Sequence, residues 1–254
     1  MVYFRRFYCY KMSERLVIVP TYNEIENIDR VIDAVMNLSP ETDLLIVDDN
    51  SPDGTGDRIR ALQFAYDGRL HLLERQGKQG LGTAYITGFK WAIGKGYLYI
   101  CEMDADLSHD PDDLPRLFAE CNHKGADVAI GSRYISGVNV VNWPMSRVLI
   151  SYFASVYVRL ITRMKVRDAT AGFVCYRREV LEVIDLEKIR FKGYAFQIEM
   201  KFKAWKHGFN VVELPIIFTD RREGTSKMSG KIVSEAIFGV IRLSVASWFR
   251  RYSR

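Results

Sequence analysis

The segment LVIVPTYNE at residues 16–24 determines the fold class. Its first four residues are apolar and are followed at once by Pro20, a pattern typical of a short buried strand that ends at a proline. Polar residues come next, and apolar residues then recur at helical spacing at positions 25, 28, 32, 35 and 36. A buried strand, a polar strand end and an amphipathic helix together indicate the first unit of an α/β fold.

The same alternation extends outward along the chain. Further strands are predicted at residues 44–47, 70–73, 97–103 and 127–130, and helices at residues 24–37, 55–64, 84–93 and 111–121. The second half is predicted to contain an amphipathic stretch at residues 145–164, a helix at 194–207, strands at 211–214 and 216–219, and a final amphipathic helix that ends near residue 250. This alternation predicts a doubly wound, mostly parallel sheet flanked by helices.

The composition fits a folded domain and restricts its partners. The chain has 254 residues, of which 48% are hydrophobic, so it can bury a large core. Its 36 Lys and Arg residues against 31 Asp and Glu residues give a net charge of +5. This mild excess does not indicate nucleic-acid binding and fits an anionic substrate or an anionic membrane surface. The four cysteines have neither metal-site nor disulfide-rich spacing, which favours a reducing compartment.

The sequence predicts contact with a membrane surface rather than a membrane span. No apolar run reaches the length of about 20 residues that crosses a bilayer, and the N-terminus has no apolar signal-peptide core. Basic and aromatic residues are mixed at residues 4–7 and 248–252. Such a mixture is typical either of solvated tails or of segments that lie among lipid headgroups. We expect the end of the last helix to lie among headgroups, because Trp, Phe and Arg are all favourable there.

Polar clusters follow three of the predicted strands, at residues 21–24, 48–53 and 104–110. The carboxyl ends of parallel strands meet at one edge of a sheet, and ligands of such sheets bind there. We therefore expect one site that extends across three strand ends.

The third cluster contains Asp104 and Asp106, one residue apart after a strongly apolar strand. Two such carboxylates can bind a hard cation that keeps some waters and also binds phosphate oxygens. The alternative is a solvated acidic loop that caps the next helix, as Asp110 before Pro111 suggests. The presence of the other clusters favours the cation site.

The second cluster, DDNSPDG at residues 48–54, partly resembles a calcium-binding loop. Its twelfth position is Arg60, where such a loop requires a bidentate glutamate, so calcium is excluded. Its carboxylates are suited to hydrogen bonds from a nucleobase or ribose, and turn formation alone is the alternative. The glycine-rich segment 77–82 matches no phosphate-binding motif, and the Ser, His and Asp of residues 108–110 are too close in sequence to form a catalytic triad.

The candidate phosphate-binding residues are basic. Arginine presents a planar fork of donors to phosphate, and lysine a point charge. For any one of them, a solvated surface cation is the alternative. Residues 221–227 are the strongest case, because residues 224–226 form a loop able to close over a ligand. The candidates are Arg133, Arg147, Arg221, Arg222 and Lys227.

Seven segments together resemble one known family. They are VPTYNE at residues 19–24, VDDNSPDGT at 47–55, GLGTAY at 80–85, MDADLSH at 103–109, GSRY at 131–134, KGYAFQIEM at 192–200, and DR at 220–221 with GTSK at 224–227. They are similar to dolichol-phosphate (polyprenol-phosphate) mannosyltransferases of the inverting GT-A glycosyltransferase family 2. The similarity extends from about residue 16 to residue 239. It implies a Rossmann-like GT-A catalytic domain at residues 15–230, after a tail at 1–14 and before an amphipathic helix and basic tail at 231–254.

The resemblance also implies a role for each site residue. Asp106 would bind Mg²⁺ or Mn²⁺; some relatives have a metal-binding Gln where this chain has the shorter Ser108. Arg221 and Lys227 would bind the diphosphate from a closing loop. The nucleoside would contact Pro20, Tyr22, Glu24, Val47 and Asp49; the diphosphate and sugar would contact Asp104, Ala105 and Asp106; and the acceptor's phosphate would contact Arg133, Arg147 and Ser151.

The implied reaction transfers mannose from GDP-mannose to a polyprenyl phosphate with inversion, which gives a β-mannosyl phosphate. The resemblance further implies a cytoplasmic protein that lies peripherally on the cytoplasmic face of a membrane, alone or with a small membrane partner subunit. The alternative that stays open is a polyprenyl-phosphate glucosyltransferase that uses UDP-glucose. Residues 104–108 also resemble the DxDx(T/V/S) motif of haloacid-dehalogenase-like phosphatases, but that motif normally follows the first strand and here it follows the fourth. A non-catalytic regulatory subunit would require a broken site, whereas every expected charged position is present.

Overall fold

A computed structural model describes residues 13–193, 195–220 and 230–253, and in the last helix it describes side chains from residue 237 onward. The strands are β1 (Arg15–Thr21), β2 (Asp43–Asp48), β3 (Leu70–Glu74), β4 (Tyr99–Glu102), β5 (Val128–Ser132), β6 (Val140–Val141), β7 (Val174–Arg177), β8 (Val211–Pro215) and β9 (Phe218–Thr219). The helices are α1 (Ile28–Met36), α2 (Thr55–Gln63), α3 (Leu81–Lys95), α4 (Leu114–His123), α5 (Met145–Thr162), α6 (Arg178–Val183), α7 (Ala195–Lys206) and α8 (Gly230–Trp248).

The main sheet is mixed and mostly parallel, as the sequence predicts. Among the described residues it contains seven strands in the order β3-β2-β1-β4-β7-β5-β8. Only β7 runs antiparallel to its neighbours, β4 and β5. The short strands β6 and β9 pair separately from this sheet, so the predicted strand at residues 216–219 does not extend it.

Both faces of the sheet are covered by helices, because its central strands are apolar on both faces. In β1, Leu16 and Ile18 pack on one face against α3 and α7. Val17 and Val19 pack on the other face against α1 and α4. This continuous apolar pattern is typical of a parallel strand buried on two sides.

Two local predictions differ from the structure. The first helix begins at Ile28 rather than at residue 24, because Asn23 has a left-handed φ of 58° and residues 24–27 form a turn that returns to the Glu24 carbonyl. The strand β7 and the helix α6 were not predicted. Both are short, at four and six residues, and the charged residues at 177–179 interrupt the apolar pattern between them.

The helices α5 and α8 pack against each other away from the centre of the sheet. The Tyr157 hydroxyl donates to the Ile237 carbonyl at 2.8 Å, and the Ser244 hydroxyl donates to the Ile161 carbonyl at 2.9 Å. Neither helix, nor any other in the described part of the chain, is long and apolar enough to cross a membrane.

Candidate functional site

The candidate site lies where β2, β1 and β4 end side by side. In the parallel register, Thr21 is opposite Asp48 and Ile18 is opposite Glu102. The three polar clusters therefore begin at the same edge of the sheet, as expected for a ligand site in this type of fold.

Asp48 holds the strand ends together. Its buried carboxylate accepts hydrogen bonds from the Thr21 hydroxyl at 2.7 Å and from the N–H and hydroxyl of Ser51 at 2.8 and 2.6 Å. These bonds fix the loop after β2. Turn formation thus accounts for the carboxylate of Asp48, and the following residue, Asp49, is also buried.

Asp49 forms a buried ion pair with Arg75, at the end of β3. Arg75 Nε lies 2.6 Å from Asp49 Oδ1, and Arg75 Nη1 donates to the Thr83 hydroxyl at 2.8 Å. Sequence analysis did not identify Arg75. The register could have indicated it, since Asp48 is opposite Glu74 and the next two residues therefore adjoin.

The other predicted nucleoside contacts differ in accessibility. Tyr22 is half-buried, and the Lys78 ammonium lies 4.8 Å from the centre of its ring. Pro20 and Glu24 are also half-buried, and the Glu24 N–H donates to the Thr55 hydroxyl at 3.1 Å. Val47 is completely buried within β2, so no surface of it faces solvent in this structure.

The glycine-rich segment has a packing function. A Cβ at Gly80 would lie 2.8 Å from the Lys192 carbonyl oxygen, and one at Gly82 would lie 2.8 Å from atoms of Phe191 and Phe196. The Gly82 N–H also donates to the Lys192 carbonyl at 2.8 Å. Residues 80–85 and 192–200, two of the segments that resemble the family, are therefore in contact because glycine allows the close approach.

Asp104, Ala105 and Asp106 form the turn after β4. Asp104 is partly accessible, Ala105 is buried, and Asp106 Oδ1 accepts the Ser108 N–H at 3.1 Å. Leu107 has a left-handed φ of 56°, which is uncommon for a residue with a branched side chain. Such strain is concentrated at functional sites, where surrounding contacts maintain it.

His109 lies under this turn. It stacks on Phe173, with ring centres 4.9 Å apart, and its Nδ1 is 4.0 Å from Asp104 Oδ2. Burial lowers the pKa of His109 to about 4, so the imidazole is neutral at pH 7. His109 therefore packs beneath the carboxylates without adding a positive charge.

The donor atoms at this turn fit a divalent cation that is shared with a ligand. Among the described residues, no group of three His, Cys, Asp or Glu side chains could hold a metal by itself. Asp104 and Asp106 supply two half-buried carboxylates, which suits Mg²⁺ or Mn²⁺ that completes its shell with phosphate oxygens and water. The Ser108 side chain is buried.

The three predicted acceptor-phosphate residues converge on two aromatic rings. The guanidinium carbons of Arg133 and Arg147 lie 5.5 and 4.1 Å from the centre of Trp143. Arg133 also lies 5.2 Å from the centre of Tyr134. Burial raises the pKa of Tyr134, and Arg133 and Ser151 beside its hydroxyl oppose that rise. The structure thus brings Arg133, Arg147 and Ser151 together.

Each of these arginines is oriented by a carboxylate. Arg133 is buried and makes a bidentate pair with Asp168, at 2.8 and 2.7 Å. This carboxylate holds the pKa of Arg133 above its usual value in spite of burial. Arg147 is one-third exposed and donates to Asp220 at 2.7 Å. Bidentate pairing fixes the plane of a guanidinium, so Arg133 is the more rigid of the two.

The segment after Asp168 connects the arginines to the carboxylates. A Cβ at Gly172 would lie 3.7 Å from Asp104 Oδ2 and 3.9 Å from His109 Cε1. The chain therefore passes from the partner of Arg133 to the side of Asp104 within five residues, so the two groups of charges are neighbours in the structure.

A buried polar network supports this segment from below. Lys201 is completely buried, and its ammonium donates to the Ala171 carbonyl at 2.6 Å. Gln197 donates to Glu102 at 2.6 Å, two residues before Asp104. Burial raises the pKa of Glu102 to about 8 and lowers the pKa of Lys201 to about 8. Sequence analysis did not identify this network, because α7 carries lysines at several positions and the local pattern does not show which one is buried.

The predicted closing loop lies outside the described residues. Arg221, Arg222, Lys227 and the residues between them are in this category. Asp220, which immediately precedes the loop, is described and binds Arg147. The roles of the loop residues therefore stay predictions.

A comparison with protein families identifies the chain. The profile described as "Glycosyl transferase family 2" matches residues 16–185, which contain the three strand ends and the two aspartates of the 104–106 turn.

The chain belongs to glycosyl transferase family 2.

Two relatives of this glycosyltransferase have names that refer to polyprenyl phosphates or their mannosylated products. It is 48% identical over 233 residues to the "Polyprenol monophosphomannose synthase" of Mycolicibacterium smegmatis, covering 92% of this chain and 86% of the relative. It is 47% identical over 232 residues to the "Undecaprenyl-phosphate mannosyltransferase" of Micrococcus luteus, covering 91% of this chain and 94% of the relative.

Solved structures support the fold of this glycosyltransferase. Glucosyl-3-phosphoglycerate synthase from Mycobacterium tuberculosis, with Mn²⁺, UDP and glucosyl-3-phosphoglycerate, matches with a TM-score of 0.64. The match covers 91% of this chain and 78% of that chain at 16% identity. The same enzyme with phosphoglyceric acid matches with a TM-score of 0.68 at 15% identity, covering 91% and 79% of the two chains. Identities this low establish the shared fold alone.

Proposed function

We propose that this glycosyltransferase transfers mannose from GDP-mannose to a polyprenyl phosphate, with inversion, to give a polyprenyl β-mannosyl phosphate. The observation that carries the proposal is the 48% and 47% identity, over more than nine-tenths of the chain, to two enzymes named for this type of product or acceptor. The convergence of carboxylates and arginines on one site supports the same conclusion.

The carboxylate side takes the nucleotide sugar in this proposal. Asp104 and Asp106 would hold Mg²⁺ or Mn²⁺ together with the diphosphate, and Tyr22, Glu24 and Asp49, at the strand ends, would contact the nucleoside. The metal, when bound, offsets negative charge on the departing diphosphate. Glucosyl-3-phosphoglycerate synthase, which shares this fold, has been solved with Mn²⁺ or Mg²⁺ and UDP, which supports a divalent cation here.

The arginine side takes the acceptor. Arg133 and Arg147 present guanidinium groups that match the geometry of a phosphate, and Ser151 adds a hydroxyl. Asp168 and Asp220 orient the two guanidinium groups before the acceptor arrives. Preorganised donors of this kind do not have to reorient during the reaction.

The chemistry does not require a strong general base. The second pKa of a phosphate monoester is about 6, so the acceptor is already a dianion at neutral pH. Burial lowers the pKa of His109 to about 4, which makes its imidazole a weak base, and the ring packs beneath Asp104. The enzyme's residues align the phosphate oxygen with the anomeric carbon and stabilise charge. Attack opposite the leaving GDP inverts that carbon.

The surface of α5 and α8 suits a peripheral position on the membrane that contains the acceptor. Phe153 and Leu160 of α5 are 60% and 74% exposed, and Phe238, Trp248 and Phe249 of the α8 region are 73%, 75% and 86% exposed. Large apolar side chains exposed on two packed amphipathic helices fit a lipid interface. We place this surface on the cytoplasmic face, with or without a small membrane partner subunit.

A transfer assay tests the proposed reaction. Purified protein is incubated with Mg²⁺, a polyprenyl phosphate, and radiolabelled GDP-mannose, UDP-glucose or UDP-GlcNAc in separate reactions. We expect label in the lipid fraction from GDP-mannose alone. Transfer from UDP-glucose instead would establish the glucosyltransferase alternative and overturn the mannose assignment.

A further inference from the structure

A cavity lies beside the proposed acceptor residues, none of which lines it. It has a volume of about 230 Å³ and is lined by Tyr134, Tyr152, Val156, Arg159 and Arg167. This volume is well above the roughly 15 Å³ that one water molecule needs. The cavity can therefore hold a polyatomic group as well as water.

The two arginines of this cavity are not neutralised by carboxylates. The Arg159 guanidinium has no hydrogen bond or ion pair with any residue that the structure describes. One nitrogen of Arg167 donates to the Ile135 carbonyl at 3.1 Å, which orients its guanidinium. Glu213 is close by, but its oxygens accept the main-chain N–H groups of Arg167 and Asp168, at 2.7 and 2.8 Å. The cavity therefore keeps a positive charge.

The surrounding sequence strengthens that charge. Residues 128–167 contain six basic residues and no acidic residue. Four of the six lie at the end of α5 or just after it, at positions 159, 163, 165 and 167. The positive electrostatic potential of these residues favours an anion. A cavity lined by two arginines and two tyrosines suits a phosphate group in particular, because arginine donates hydrogen bonds in the geometry of a phosphate.

The neighbours of the cavity indicate what carries the phosphate. Phe153 and Leu160, next to the cavity residues on α5, are 60% and 74% exposed. The Tyr134 ring, which packs edge-on against Tyr152 with centres 5.6 Å apart, separates the cavity from Arg133. A membrane phospholipid presents an anionic headgroup next to apolar acyl chains. It therefore matches a positively charged cavity that is bordered by exposed apolar side chains.

We propose that the cavity between Tyr134, Tyr152, Arg159 and Arg167 binds the phosphate headgroup of an anionic membrane phospholipid that is not the acceptor. Its occupation fixes the depth and orientation of α5 and holds the acceptor arginines at the level of the acceptor's phosphate. The inference rests on the proposed peripheral position on the membrane, but it does not depend on which sugar is transferred.

Vesicle binding tests the inference with a matched control. Arg159→Gln is compared with Arg163→Gln, since Arg163 is an exposed arginine one turn further along that does not line the cavity. Binding of each variant is measured to two kinds of phosphatidylcholine vesicle, one containing phosphatidylglycerol and the other oleate. The two kinds carry equal surface charge, but only the first has an anionic phosphate headgroup. Loss of one arginine near an anionic surface weakens binding about 5-fold. We expect Arg163→Gln to have that effect on both vesicles, and Arg159→Gln to weaken binding to phosphatidylglycerol vesicles about 20-fold or more, because a charge-assisted hydrogen bond is also lost.

Equal losses for the two variants on phosphatidylglycerol vesicles would overturn the site and leave only general electrostatic attraction. Calorimetry with glycerol phosphate, without vesicles, distinguishes the source of the phosphate. Strong Arg159-dependent binding of this soluble ester would contradict the lipid assignment in favour of a free phosphate ester. Both variants should keep the wild-type unfolding temperature and the wild-type rate of sugar transfer to a detergent-solubilised acceptor. The transfer assay therefore tests the proposed reaction separately from the lipid site.

Discussion

The carboxylate side and the arginine side of the site are built in different ways. On the carboxylate side, the charged residues directly follow adjacent parallel strands, and even the buried pair of Asp49 with Arg75 joins the ends of neighbouring strands. On the arginine side, Arg133 depends on a carboxylate 35 residues away, and Arg147 on one 73 residues away. The register of the sheet thus determines the first side, whereas tertiary packing determines the second.

This difference has a consequence for stability. A half-buried carboxylate at a strand end can be removed with little loss of packing, so its replacement should affect chemistry more than folding. A buried arginine pair orients a ligand and also satisfies charges inside the protein, so its replacement should affect both. Variants on the two sides should therefore differ in how much stability they lose for a given loss of activity.

The largest effect is expected for Asp106→Ala. Loss of a carboxylate that holds the metal should lower kcat by about 1,000-fold or more, equivalent to roughly 4 kcal/mol, with the unfolding temperature nearly unchanged. Asp112→Ala is the matched control, because Asp112 is an exposed aspartate of the same acidic region. Turnover and its Mg²⁺ dependence are measured for both. Normal turnover with a normal metal response in Asp106→Ala would refute the metal assignment.

The second effect is on stability. Asp168→Asn leaves the buried Arg133 guanidinium without its counter-charge, and breaking a buried pair in this way costs about 3–5 kcal/mol. Urea unfolding should therefore shift strongly towards lower urea, and the KM for the acceptor should rise more than the KM for GDP-mannose. A variant as stable as wild type would mean that the pair is not buried in solution.

Lys227→Ala tests the loop that follows Asp220. If the loop closes as charge develops on the departing diphosphate, kcat should fall by about 10- to 100-fold while the Kd for GDP changes much less. Rapid-quench kinetics and GDP titration separate the two quantities. Equal losses in rate and in GDP affinity would instead indicate uniform binding of the ground state.

Deletion of residues 247–254 tests the membrane surface. We expect salt-sensitive co-sedimentation with anionic liposomes that weakens several-fold when this segment is removed, since each basic residue near the surface contributes about 1 kcal/mol. The double change Trp248→Ser and Phe249→Ser is a milder version, with Phe64→Ser, directly after α2, as a control at a highly exposed aromatic residue elsewhere on the surface. Undiminished sedimentation of the truncated protein would shift the contact to α5.

The smallest effect is expected for Asp220→Asn. The Arg147–Asp220 pair is 33% and 25% exposed, and pairs near the surface contribute about 0–1 kcal/mol. Unfolding should change by less than about 1 kcal/mol, far below the change for Asp168→Asn. Similar losses for the two variants would remove the contrast between the buried and the accessible arginine.

The same contrast explains what could be predicted from sequence. The strands β1 to β5 and the clusters that follow them could be predicted, because apolar periodicity and strand ends are local properties. The strand β7 could not, since its position between β4 and β5 is determined by pairing across the sheet. Nor could the burial of Lys201, which depends on the Ala171 carbonyl 30 residues away. Residue type made Arg133 and Arg147 candidate phosphate binders and the family resemblance gave them the acceptor role, while their partners Asp168 and Asp220 required the structure.

Paired binding measurements test the division of the site most directly. The Kd for Mg²⁺–GDP and the Kd for a short-chain polyprenyl phosphate are measured for Tyr22→Ala and for Arg147→Gln. We predict that Tyr22→Ala weakens GDP binding about 5- to 10-fold and leaves acceptor binding unchanged, since an aromatic contact is worth about 1 kcal/mol. Arg147→Gln should weaken acceptor binding about 10-fold or more and leave GDP binding unchanged, because it removes charge-assisted hydrogen bonds. If both variants weaken the same ligand, the assignment of the carboxylate side to the donor and the arginine side to the acceptor is wrong.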